Sequence, residues 1–175
     1  MEGTGGGYLT AMPPLRAGII AAIVTLILDQ ASKLWLLNVF DLGRRGVVKV
    51  TPFFDLWLAQ NKGISFGWLQ YDGQAAQIAL MAVKVIAVIA LAIWMARSHT
   101  RLATIALGLI IGGAIGNGID RLAYGWVVDF ALFHIEIGGV TYNWYVFNLA
   151  DVAIVAGVAG LLYDSFLGVP AAKAP

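Results

Sequence analysis

Four mainly apolar stretches, 17–37, 75–95, 102–119 and 147–167, dictate most of what this chain can become. Each offers ~18 to 21 residues, and an α-helix needs about 20 to cross ~30 Å of hydrocarbon. The rest of the composition agrees. Hydrophobic residues make up 60% of the chain and charged residues 12%, against roughly 25% charged in an ordinary globular domain. The 175 residues suffice for one domain. The expectation is an all-α integral membrane protein, a single membrane domain of four transmembrane helices. Residues 1–16 form a tail ahead of it, glycine-rich from Gly3 to Gly7 and ended by Pro13-Pro14. The first stretch is not read as a cleaved signal peptide, because it is long, contains Asp29 and Lys33, and is followed by no small-residue cleavage site.

Four spans put both termini on one side of the membrane and the connections 38–74 and 120–146 on the other. The short connection, 96–101, carries Arg97 and Arg101 and fits a cytoplasmic turn, so both termini are expected to be cytoplasmic. The net charge is +1 with scattered Lys and Arg, which gives no basis for nucleic-acid binding. No cysteine is present, which excludes a thiol nucleophile, a thiolate metal site and a disulfide framework.

The two long connections carry structure of their own. In residues 46–59, Phe54, Leu56 and Leu58 alternate with Asp55, Trp57 and Ala59, the period of a strand with one buried face. A small extracytoplasmic β element is expected there, and loop 46–74 is a candidate lid. Residues 124–147 gather Tyr124, Trp126, Phe130, Phe133, Tyr142, Trp144, Tyr145 and Phe147, with Gly138-Gly139 as a hairpin turn. Such aromatics belong in an interfacial loop at headgroup level.

Against this apolar background the polar residues are few and periodic. Asp29 and Lys33 are spaced i, i+4, acid first, the favourable order for a helical ion pair. Asn117, Asp120 and Arg121 share one face near the end of the third span, and Asn148 and Asp151 stand at i, i+3 in the first turn of the fourth. If the termini are cytoplasmic, all three groups reach the opposite half of the membrane. Asp129, in the loop between those spans, can reach the same point. One shared cluster is expected, because each buried charge then finds a partner. Lys84, near the middle of the second span, either snorkels or pairs with Asp29. His99 and His134 read as a solvated and an interfacial residue.

Ionisable groups at the hydrocarbon boundary mark function. Asp129 and Asp151 on one membrane face suggest an acid/base pair within hydrogen-bond distance, sharing one proton. Other chemistries lack their parts. Two distant histidines supply no zinc-protease helix, no serine sits in a Gly-x-Ser-x-Gly turn, and no phosphate loop or dinucleotide fingerprint occurs. The other class left open is a small membrane transporter or ligand-binding protein with a half-buried polar site.

Five motifs then fall in order: Asp29-Gln30-x-x-Lys33, Asn61-x-Gly63-x-x-Phe66, Gly116-Asn117-x-x-Asp120-Arg121, Val128-Asp129-Phe130 and Phe147-Asn148-x-Ala150-Asp151. Together they resemble the motif set of bacterial lipoprotein signal peptidase (signal peptidase II), over 29–151. That resemblance implies an aspartyl endopeptidase that removes the signal peptide from diacylglyceryl-modified prolipoproteins, cleaving before the lipidated cysteine. It implies Asp129 and Asp151 as the catalytic dyad. Asn61, Gly63, Asn117, Arg121 and Asn148 would serve substrate, inhibitor or dyad, with Asp29, Lys33 and Asp120 as structural support. It also implies no metal or other cofactor, inhibition by the cyclic peptide globomycin, contact with membrane lipid, and a bacterial plasma (inner) membrane location with the site facing the periplasm or cell exterior.

Overall fold

A computed structural model describes residues 14–63 and 74–167. The chain runs through α1 (Pro14–Asn38), a single turn α2 (Leu42–Arg45), β1 (Val48–Thr51), β2 (Phe54–Asn61), α3 (Gln74–Arg97), α4 (Arg101–Tyr124), β3 (Val127–Ile137), β4 (Val140–Asn143) and α5 (Leu149–Leu167). The four long helices fall on the four apolar stretches. Among the described residues three of them are long and apolar enough to cross a membrane: Pro14–Asn38, Arg101–Tyr124 and Leu149–Phe166. The expected tail lies mostly outside the described residues, as do 64–73 of the candidate lid.

Helix α4 is the hub, packed against α1, α5 and α3. Its glycines make this possible. Gly108, Gly112 and Gly116 recur every fourth residue along the side facing α1. A Cβ would strike the Gly18 carbonyl at the first, the Ala22 carbonyl at the second and the Asp29 carboxylate at the third. Gly113 takes the Ala150 backbone of α5 in the same way, 2.6 Å from where its Cβ would stand. Close backbone approach through small residues is how helices associate where lipid supplies no hydrophobic drive. The outward flanks of α1 are bare and apolar, with Ile19, Ile23, Ile27 and Leu28 all exposed, as hydrocarbon-facing side chains should be.

The strands form one antiparallel sheet in the order β1-β2-β3-β4, a larger element than the small one expected. Leu36 at the end of α1 and Leu42 of α2 pack with Val128, Phe130 and Ala131, and Phe54, Leu56 and Leu58 join that cluster. The simple alternation expected for β2 is corrected at Asp55, which is buried rather than outward and has its carboxylate 3.2 Å from His134 Nε2. A bulge between Leu56 and Ala59 then changes the register, from Leu56 opposite Ala131 to Ala59 opposite Asp129. One extra residue moves every later side chain to the other face, which brings Asn61 round to the face of Asp129.

The Gly138-Gly139 turn is as expected. Ile137 pairs with Val140, and both glycines have positive φ, 59° and 78°, as a two-residue I′ hairpin turn requires. The fourth helix starts two residues later than 147. Phe147 is held in the sheet by backbone bonds with Ala131 in both directions, and Asn148 serves as the helix cap.

Candidate active site

Three polar side chains of α1 and α4 converge on Lys33. Its ammonium, fully buried, donates to Asp29 Oδ2 at 2.8 Å and to Asn117 Oδ1 at 2.9 Å, and lies 2.8 Å from Asp120 Oδ2. Three N–H donors thus meet three acceptors from α1 and α4, the full complement of an ammonium. Asp120 also accepts from Gln30 Nε2 at 2.9 Å and from the Val128 N–H at 3.0 Å, so it fixes where β3 begins. Gln30, quoted above only as part of a motif, bonds in addition to the Gly116 carbonyl. The Lys84–Asp29 pairing does not form. Asp29 Oδ1 accepts from the Ala150 N–H at 3.0 Å, so both of its oxygens are already engaged.

The first turn of α5 carries the next layer. Asn148 Oδ1 accepts from the Asp151 N–H at 3.0 Å, and Asp151 Oδ2 accepts from the Asn148 N–H at 3.1 Å. This is a reciprocal capping box written with Asn and Asp. Asp29, reaching across from α1, satisfies the Ala150 N–H between them. These N–H groups have no partner inside the helix, and the sequence supplies one from its own cap and one from a residue 121 positions away.

Asp129 and Asp151 stand on either side of Asn148. Asn148 Nδ2 donates to Asp129 Oδ1 at 2.6 Å and to Asn117 Oδ1 at 3.0 Å, and Asn117 Nδ2 donates onward to Asp151 Oδ1 at 2.9 Å. Asn61 Nδ2 donates to Asp129 Oδ2 at 2.9 Å. Among the described residues the link between the two carboxylates runs through the amides of Asn148 and Asn117. Each carboxylate has its own amide donor besides. The residues Asp129, Asp151, Asn61, Asn117, Asn148, Asp29, Lys33 and Asp120 are therefore one connected network, which the spacing led one to expect for all of them except Asn61.

Arg121 and Gly63 belong to its edge. Arg121 Nη1 donates to the Lys62 carbonyl at 3.2 Å. Gly63, at φ +86°, lies on the guanidinium so closely that a Cβ would come 2.5 Å from Nη2. Its N–H bonds back to Asn61 Oδ1 at 2.8 Å. Arg121 and Gly63 hold the turn from which Asn61 reaches Asp129.

The electrostatics single out Asp129. Its pKa is pushed up from 3.8 to about 6, chiefly by burial, since removal from water disfavours the charged form. The charge of Asp151 pushes the same way, while hydrogen bonds from Asn61 and Asn148 and the charge of Lys33 oppose it. Asp151, by contrast, is partly exposed and sits at the positive end of a helix. Two carboxylates in different surroundings, one able to hold a proton near neutrality, can act as an acid and a base on one substrate.

A sequence model described as signal peptidase (SPase) II matches residues 21–167. A lipoprotein signal peptidase of Nitrobacter hamburgensis is 71% identical over 164 residues, covering 94% of this chain and 100% of that one. One from Rhodopseudomonas palustris is 69% identical over the same shares, and one from Methylorubrum extorquens is 49% identical, covering 94% and 92%. Among solved structures, a bacterial membrane enzyme determined in meso at 1.9 Å superposes with a TM-score of 0.72 at 27% identity, covering 88% of this chain and 95% of that one.

Proposed function

The chain belongs to the signal peptidase II family, and from that premise we propose that it is an aspartyl endopeptidase cleaving diacylglyceryl-modified prolipoproteins just before the lipidated cysteine, with Asp129 and Asp151 as its catalytic pair. The observation that carries the reading is Asn148. It is bonded to the Asp129 carboxylate and boxed with Asp151, so both acids are set against one point at the start of a membrane-length helix.

Asp129, its pKa raised to about 6, is the acid, and in its protonated form it directs the proton at the scissile carbonyl oxygen. Asp151, ionised, takes a proton from a water as the water oxygen adds to the carbonyl carbon. Asp129 gives its proton to the oxygen, and amide donors of the asparagines lie beside the developing tetrahedral centre. On collapse the C–N bond breaks and the nitrogen takes the proton held by Asp151. The re-forming carbonyl returns its proton to Asp129, which restores the starting state. No metal or nucleotide enters. Asn61, Asn117 and Asn148 position the acids, Arg121 and Gly63 hold the Asn61 turn, and Asp29, Lys33 and Asp120 fix the helix ends.

Four spans, α3 being the second, make one membrane domain with cytoplasmic termini, in the bacterial inner membrane with the site towards the periplasm or cell exterior. The bare apolar helix flanks leave the substrate's acyl chains in lipid. Globomycin is the expected inhibitor. The test is a gel-shift assay of purified protein on a diacylglyceryl-modified prolipoprotein. Asp129→Asn and Asp151→Asn should each lower cleavage by ~10²–10⁴, the usual share of acid/base catalysis, with membrane insertion unchanged. Cleavage that survives in either variant removes that residue from the pair. No cleavage by folded wild type removes the peptidase reading in favour of a solute site.

A further inference from the structure

Helix α3 turns one stripe of its described surface to the rest of the molecule. Met81, Lys84, Val88, Leu91 and Met95 are half-buried or buried, while Val83, Val85, Ile86, Ile89 and Ile93 between them are bare. Steps of three and four residues keep that stripe on one face. From α4, Leu107, Ile111 and Ile115 pack with Val88, Leu91 and Met95. The two helices are antiparallel, joined by residues 98–100. Beyond Val88 the next position of the stripe is Lys84, and seven residues beyond Ile111, on the same side of α4, is Gly118. A helical side chain leans towards its own N-terminus, which for α3 is the end nearest the candidate site. Lys84 therefore leans to the level of Gly118.

At that level the seam is open. Among the described residues a Cβ on Gly118 would meet nothing within 4 Å, whereas Gly108, Gly112, Gly113 and Gly116 of the same helix are each pressed by a neighbour. Glycine inside a helix is destabilising, and here no packing contact calls for it, so it keeps a notch. The residue before it, Asn117, donates to Asp151, which puts the notch beside the candidate acids. Lys84 enters no ion pair among the described residues. It stands about 15 Å along α3 from Gln74, too deep to reach the headgroups by snorkelling. A cation at that depth marks function, and its ligand is an anion.

Hydrolysis itself makes a suitable anion. The water oxygen ends on the acyl carbon and the amine departs with the cysteine side, so the signal peptide is left with a terminal carboxyl group. An ordinary α-carboxyl has a pKa of about 3.5, and at neutral pH the group gives up its proton. We infer that Lys84, in the notch at Gly118, is the seat for the carboxylate that cleavage leaves at the end of the signal peptide. The uncleaved substrate has a neutral amide there, so the contact favours product over substrate and makes the enzyme product-inhibited. This rests on the peptidase reading.

The test is direct binding. A signal peptide ending at the residue before the cysteine is labelled at its N-terminus and made both as the free acid and as the C-terminal amide. Fluorescence anisotropy follows its binding to the protein in phosphatidylcholine nanodiscs, with empty discs as the blank. Wild type should bind the acid about tenfold more tightly than the amide, the lower end for a hydrogen bond to a charged group. Lys84→Gln should bring the acid to the level of the amide and leave the amide unchanged, whereas Lys84→Arg should keep the preference. Gly118→Leu, which fills the notch and alters no charge, should also remove the preference, and it decides the matter where Lys84→Gln fails to fold. Equal binding of acid and amide by wild type overturns the inference, as does a preference that survives in Lys84→Gln or Gly118→Leu. Protein that cleaves prolipoprotein but binds acid and amide alike loses the carboxylate seat and keeps the peptidase reading. Protein that discriminates through Lys84 but cleaves nothing keeps the seat and loses the peptidase reading.

Discussion

Replacing Asn61 with alanine tests the electrostatic argument most directly. Asn61 Nδ2 donates to Asp129 Oδ2 at 2.9 Å, and that bond holds down a pKa that burial has pushed to about 6. A hydrogen bond to a charged group is worth ~1.5–3 kcal/mol. Asn61 is exposed, so water recovers part of the loss, and ~1.4 kcal/mol, or about one pKa unit, is the expected change. Losing a donor disfavours the carboxylate, so the shift is upward. If protonated Asp129 is the active form, the alkaline limb of kcat/KM should move from near 6 to about 7 in Asn61→Ala. The assay is a pH profile of prolipoprotein cleavage in detergent, with carboxyl-carbon NMR of Asp129 as the direct readout. Absolute rates are free to fall, and only the position of the limb is read. A limb that stays in place, or moves to lower pH, would refute both the role of the bond and the assignment of the proton to Asp129.

Three further outcomes follow, two from the same network and one from the helix packing beneath it. Lys33→Met leaves the buried Asp29 and Asp120 carboxylates facing each other without their cation, a loss of about 3–5 kcal/mol that thermal unfolding in detergent should show. Asp129→Asn should change how stability depends on pH. The folded carboxyl has the raised pKa, so it contributes stability below pH 4 that is lost as pH rises through about 6. Wild type should therefore lose up to ~3 kcal/mol between those values, at ~1.4 kcal/mol per unit, relative to Asp129→Asn, and parallel melting curves from pH 4.5 to 7.5 would contradict the burial argument. Gly112→Val drives methyl groups into the Ala22 carbonyl and Thr25 of α1. Overpacking of that kind costs about 1–3 kcal/mol, so a melting temperature equal to wild type would show that α1 and α4 are not held at this spacing.

Much of the molecule could be read before it was seen, and the reasons differ by element. The long helices were legible because span length is set by the bilayer, an external ruler that tertiary packing does not alter. The hairpin turn was legible because a Gly-Gly pair supplies positive φ without any partner. The clustering of Asp29, Lys33, Asn117, Asp120, Asn148 and Asp151 was legible because helical periodicity and a low-dielectric surrounding leave charges little choice except one another.

What depends on contact between distant segments was not legible. Alternation in 54–59 predicted an outward Asp55, but the acid is buried, with His134 of the paired strand beside it on the same face. Asn61 reaches Asp129 only because a bulge shifts the register of β2 by one residue, and no local propensity announces where a bulge falls. Lys84 was free to pair with Asp29 by depth alone, yet that carboxylate was already committed to Lys33 and to a backbone N–H of α5. That Asn148 and Asn117 link the two acids follows from no local pattern. By itself the sequence determined the membrane class, the long helices and most of the membership of the polar cluster, since hydropathy and periodicity are properties of single segments. Only the tertiary structure decided which donor meets which carboxylate, because hydrogen-bond partners are chosen by geometry to a fraction of an ångström between segments as far apart as Asp29 and Ala150.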